Sequence, residues 1–116
     1  MEMDINLNGK WKNQYNSVME LKLEDDGYLT GTFQTGIGRP SFDEKFELKG
    51  KINQDVIAFM VDFAHYGSIA CWTGRFTEDL EGEVINSMWH LSQSEGGDEE
   101  KMAKAVLTGV GTFRKL

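Results

Sequence analysis

Asn13 and Ser17 flank the stretch Gln14-Tyr15-Asn16. An amide and a hydroxyl at that spacing suit two tasks. They can close a hairpin, because both residue types favour turns, or they can present hydrogen-bond groups to a small polar ligand. Phe63, Trp72 and Trp89 are aromatic residues that fall on the inward parity of three strand-like stretches. Aromatics in that setting make either a packed core or the apolar wall of a pocket. Catalysis finds little support. His65 and His90 are far apart and have no neighbours with metal-ligand spacing, and no Ser-His-Asp arrangement or phosphate loop is present. The inward parities offer Asn, Ser and Thr with almost no titratable group, so acid–base chemistry would lack a proton carrier.

The elements that position these residues read as strands. Gly9 to Asn13 is a short first one. Ser17 to Glu24 alternates, with Met19, Leu21 and Leu23 on one face and Glu20, Lys22 and Glu24 on the other. Asp25-Asp26-Gly27 reads as a turn, and Tyr28 to Thr35 returns with Leu29, Gly31, Phe33 and Thr35 on one side. Phe42 to Lys49 forms a fourth strand around Phe46 and Leu48, and Gly50 to Asp55 turns. Val56 to Ala64 is apolar on both parities, which points to cover outside the core, from a second copy or a second layer. Ile69 to Thr77, Val84 to Leu91 and Lys104 to Arg114 complete the series, with one helical turn over Glu99 to Ala103. Eight strands with short connections predict an all-β, antiparallel up-and-down barrel, which leaves no free edge and is just wide enough for side chains or one small ligand.

A chain of 116 residues with 40% hydrophobic and 11% aromatic content is expected to form one domain over residues 1–116 with a packed core. The net charge of −7 argues against a nucleic-acid partner. Glu95, Asp98, Glu99 and Glu100 read as a solvated loop. No apolar run reaches the roughly 18 residues of a membrane helix, and the first residues lack a signal pattern, so a cytoplasmic protein or a processed secreted form is expected. The single Cys71 excludes an intrachain disulfide, and its apolar setting predicts a buried, inert thiol. Met60, Val84, Met88, Val106 and Val110 point outward with His90, and are read as the interface of a homo-oligomer.

Five segments, in order, resemble the avidin and streptavidin family of biotin-binding proteins: Gly9-Lys10-Trp11-Lys12-Asn13-Gln14 with Ser17; Leu29 to Phe33 with Thr35 and Gly38; Trp72-Thr73-Gly74-Arg75; Ile85 to Leu91; and Leu107-Thr108-Gly109 with Thr112-Phe113. The resemblance implies biotin as a non-covalently bound ligand, no metal, no catalysis, and a homotetramer or dimer. It implies Asn13 and Ser17 as donors to the urea oxygen, and a Thr35 hydroxyl at the urea edge. Phe63, Trp72, Trp89 and Leu91 form the apolar box, Ser68 meets the tail, and Arg39 in the lid loop pairs with the carboxylate. Trp11 is more structural than contacting. Phe33 stands where the family has Tyr, Ala70 where a hydroxyl meets the sulfur, Gly111 where an Asp takes a urea N–H, and Ala103 near the position of a Trp shared between subunits. These replacements imply reduced affinity for biotin. The alternatives are an avidin-fold binder of a different small ligand, and an oligomeric scaffold.

Overall fold

The computed structural model describes residues 5–36, 43–94 and 106–116. Eight antiparallel strands close into a barrel in chain order: β1 (Gly9–Lys12), β2 (Val18–Leu23), β3 (Tyr28–Gln34), β4 (Phe46–Asn53), β5 (Val56–Asp62), β6 (Ser68–Asp79), β7 (Gly82–Gln93) and β8 (Val106–Lys115). β8 returns to β1 through Trp11↔Lys115 and Lys12↔Arg114. Alternation drives the closure. Each strand buries every second residue, as in Ile57, Phe59 and Val61 of β5, while Val56, Ala58 and Met60 between them stay outside.

The register stacks the inward residues in layers. Phe76, Ile85 and Phe113 pair across β6, β7 and β8 at one end. Trp11 stands edge-on to Phe76 there, and its indole N–H donates to the Leu7 carbonyl over 2.9 Å. That end is sealed. The connections after β1, β3, β5 and β7 all emerge at the opposite end, and this is where Asn13, Ser17, Thr35 and Phe63 lie.

Four expectations are corrected. The fourth strand starts at Phe46 and runs through Gly50 to Asn53, because Gly50 sits opposite Phe59 and its missing side chain lets the two strands approach closely there; only Gln54 and Asp55 turn. β6 and β7 pair out to Asp79↔Gly82, so their turn is shorter than the patterning suggests. Cys71 is exposed, since its parity points out between Ala70 and Trp72, both of which point in. Val84 is buried although it faces outward. It lies between Thr77 and Arg114 in the ladder. Arg114 on β8 crosses over β7 to reach Asp79 on β6, so its side chain covers Val84. Phe42, Lys104, the run from Glu95 to Glu100 and the helical turn from Glu99 to Ala103 lie outside the described residues.

Candidate functional site

The turn between β1 and β2 organises the polar edge of the mouth. The Asn13 N–H donates to the Ser17 carbonyl, and the Asn13 Oδ1 accepts from the N–H groups of Tyr15 and Ser17, each at 3.0 Å. Asn16 takes a left-handed φ of 65°, which Asn tolerates, to complete the turn. The oxygen of Asn13 is thus committed to the backbone, and the planar amide holds its NH2 away from the turn. Ser17 Oγ accepts from the Gly36 N–H at 3.0 Å, which leaves the hydroxyl hydrogen to donate elsewhere. Both side chains are buried, as is Thr35. The turn residues are therefore also inward-facing polar residues, so the two readings of this stretch coincide.

Aromatic residues form the wall. Trp72 stacks on Phe59 at 4.9 Å and lies 5.0 Å from Phe33. Phe63 stands edge-on to both Phe33, at 6.0 Å, and Phe46, at 5.0 Å. Trp89 pairs with Trp72 on one side and Gly109 on the other. A Cβ at Gly109 would lie 2.5 Å from Trp89 Cζ2, so glycine is what lets the indole lie flat against β8. Trp89 and Leu91 pack against the core yet keep partial exposure. The indole N–H of Trp72 is buried without a hydrogen-bond partner among the described residues.

Ser68 begins β6, half-buried, and its carbonyl accepts from the Phe63 N–H at 2.9 Å. Ala70 is buried opposite Leu91. Asn13, Ser17, Phe33, Thr35, Phe63, Ser68, Trp72, Trp89 and Leu91 thus all sit at or below one end of the barrel. Arg39 lies outside the described residues.

Four contributors went unassigned in the sequence reading. Phe46 and Phe59 carry only the common signal of inward parity. Ser87 shares parity with Trp89, and its hydroxyl donates to the Gly111 carbonyl at 2.8 Å. Gln14 left no local signal, because its partners are almost a full chain length away. Its Nε2 donates to the Val110 carbonyl at 2.8 Å, and its Oε1 accepts from the Thr112 N–H at 2.9 Å. The Gln14 side chain therefore continues the β1–β8 ladder past the end of β1 and grips β8 on both sides of Gly111.

At the rim, the Tyr66 hydroxyl donates to Glu44 Oε2 at 2.8 Å, and the same carboxylate lies 3.9 Å from His65 Nε2. That contact raises the pKa of the Tyr66 phenol, since the hydrogen bond to an anion favours the protonated form. It ties the segment before β4 to the β5–β6 connection. A cavity of about 300 Å³ lined by Asp62, Ser68, Ile69 and Ser92 lies beside this rim. A larger concavity, about 820 Å³, lies on the outer wall over β4 to β8, away from the mouth; Ala58, Thr73, Met88 and Val110 form its central row.

The buried polar side chains among the described residues are Asn13, Ser17, Thr35 and Ser87, so the polar groups buried here are neutral amide and hydroxyl groups. Among the described residues, no three of His, Cys, Asp and Glu stand close enough to hold a metal ion.

A chain of known structure, described as the crystal structure of Xenavidin, superposes with a TM-score of 0.82 at 28% identity, covering 98% of this chain and all of that one. Avidin-related protein 4/5 of Gallus gallus is 29% identical over 117 residues, spanning 95% of this chain and 77% of that protein. A model of the avidin family matches residues 1–116. With the closed barrel, its aromatic wall and its buried amide and hydroxyls, these matches settle the lineage: the chain belongs to the avidin family.

Proposed function

We propose that this protein is a non-catalytic small-molecule binder that takes biotin, non-covalently and with reduced affinity, in the open end of its barrel. The observation that carries the reading is the arrangement at Asn13 and Ser17: a turn that uses up the acceptor atoms and leaves an NH2 and an O–H as buried donors, as a urea oxygen requires. Phe63, Trp72, Trp89 and Leu91 supply the box, Thr35 and Ser68 the flanking hydroxyls, and Arg39 a cation for the carboxylate tail.

The reduced affinity follows from Phe33, Ala70 and Gly111, which remove a donor, a hydroxyl and an acceptor from the family's set. Each buried ligand group left unpaired costs about 1–3 kcal/mol, and about 1.4 kcal/mol is tenfold in affinity. A calorimetric titration with biotin tests the proposal. Saturable one-to-one binding that is lost in Asn13→Ala and Trp89→Ala supports it; no heat and no thermal shift at millimolar biotin rejects it. Gly111 favours one second reading, an avidin-fold binder of a different small ligand, because it replaces the carboxylate that the family places there for a urea N–H.

The exposed Val56, Met60, Met88 and Val110 on the outer wall support a homo-oligomer, a tetramer or a dimer, formed through that face. Mass under native conditions distinguishes the two.

A further inference from the structure

One row of the outer wall places three metal-ligating side chains side by side. Met60 on β5 pairs with Cys71 on β6, and Cys71 pairs with His90 on β7. All three have outward parity and are exposed. They lie far apart in the chain, and only the ladder makes them neighbours. Residues directly opposite across antiparallel strands have Cβ atoms about 4.5–5.5 Å apart. That separation lets Met60 Sδ, Cys71 Sγ and a ring nitrogen of His90 converge on one point above Cys71. None of the three side chains makes a hydrogen bond or ion pair with the described residues, so their lone pairs are uncommitted there. The row continues to Lys49 beyond Met60 and to Thr108 beyond His90, and it contains no carboxylate. The Lys49 ammonium is turned to account by Glu47, 3.6 Å away.

A thiolate, a thioether and an imidazole are a soft donor set, which suits monovalent copper and not magnesium or calcium. The thioether decides against zinc, whose usual protein ligands are thiolate, imidazole and carboxylate. We propose that Met60, Cys71 and His90 form a surface site for one Cu(I) ion per chain, on the outer wall and independent of the barrel's mouth. Cys71 binds as the thiolate and releases its proton to solvent, while Met60 and His90 each give a neutral lone pair. The ion arrives and stays as Cu(I), so no electron is transferred. The row adjoins that of Ala58, Thr73, Met88 and Val110, so a second copy seated on the wall would cover it.

The test adds protein, reduced and without air, to the coloured Cu(I) complex of bathocuproine disulfonate and follows the loss of colour. It uses the unaltered protein and also Met88→Glu with Val110→Glu, in which a covering copy is displaced. One Cu(I) per chain should pass to at least one of the two. In that background, Cys71→Ser should weaken binding about a hundredfold or more, and Met60→Leu and His90→Gln each about tenfold or more, at least the range seen when even an outer partner of a metal is lost. All three positions are exposed, so metal-free melting temperatures should stay close to that of the parent. In a carbon–proton correlation spectrum, the methyl signal missing from Met60→Leu should move when Cu(I) is added and stay in place with zinc. Failure of both proteins to draw copper from the chelator overturns the proposal. So does Met60→Leu or His90→Gln binding as tightly as the parent, which would leave a lone thiolate, and so does one ion per two chains, which would be a bridge between copies. An unmoved Met60 methyl overturns it as well.

Discussion

Asn13 holds its turn with one end of its amide, the proposed function gives the other end to the ligand, and substitution can separate the two. Asn13→Asp keeps the oxygen that accepts from Tyr15 and Ser17 but removes the NH2. Its melting temperature should stay close to that of the unaltered protein while biotin affinity falls about 5- to 150-fold, the equivalent of one buried donor. Asn13→Ala should lose both, since the turn's two N–H groups are then orphaned. Calorimetry alongside thermal denaturation checks the split. Gly109→Ala places a methyl against the Trp89 ring. Overpacking of this kind costs about 1–3 kcal/mol, and here it is expected as a shift in tryptophan emission with weakened guest binding. Single residues were legible where parity alone decides their side, as for Trp72 and Phe63. Val84 and Cys71 were not. Val84 is hidden by an arginine on the neighbouring strand that reaches across it to Asp79, and Cys71 is exposed because an apolar sequence neighbourhood says nothing of which way one member points.

At the level of strands, the weakest joint in the cylinder is between β1 and β8. Two backbone-paired positions and the Leu116 N–H to Lys10 carbonyl bond hold it, and the Gln14 side chain adds a further rung. Removing that rung in Gln14→Ala should cost about 1–2 kcal/mol and should speed hydrogen exchange at the Thr112 amide more than at amides of β6, where twelve pairs with β7 are formed. Equal protection at Thr112 in both proteins would show that the clasp adds nothing. The existence and order of the strands could be read from period two, because inward residues must be apolar wherever a core is enclosed. Their ends could not. Ends are set by what stands across the ladder: Phe59 keeps Gly50 within β4, and Thr77 to Asp79 find partners through Gly82. A side chain that substitutes for a strand, as Gln14 does, leaves no periodic trace.

For the whole molecule, pH and association give separate readouts. Arg114 holds the Asp79 carboxyl down to about 2, from an ordinary 3.8, mainly through its hydrogen bonds. A carboxylate whose pKa is lowered in the folded state stabilises above its unfolded pKa and loses that contribution as pH falls through the folded value. The bridge should therefore act fully above about pH 5 and fade between about pH 4 and pH 2. Both partners are solvent-accessible, so the effect is small and salt-sensitive. Melting temperatures of the protein and of Asp79→Asn should differ near neutrality and converge at the acid end; a difference that persists at low pH would show another origin. On the outer wall, Met88→Glu with Val110→Glu should shift native mass toward the single chain while the barrel's circular dichroism is retained, if Ala58, Thr73, Met88 and Val110 are the row that copies share. An unchanged mass would place the contact elsewhere.

Four connections leave one end of the barrel, and the first and last described strands begin and finish at the other, where the Leu116 N–H donates to the Lys10 carbonyl at 2.8 Å. Anything tethered through Leu116 hangs beneath the barrel's sealed end. Immobilised through Leu116 on a bead or a sensor chip, each barrel turns its opposite end, with Asn13, Ser17 and Thr35, to the surrounding solution.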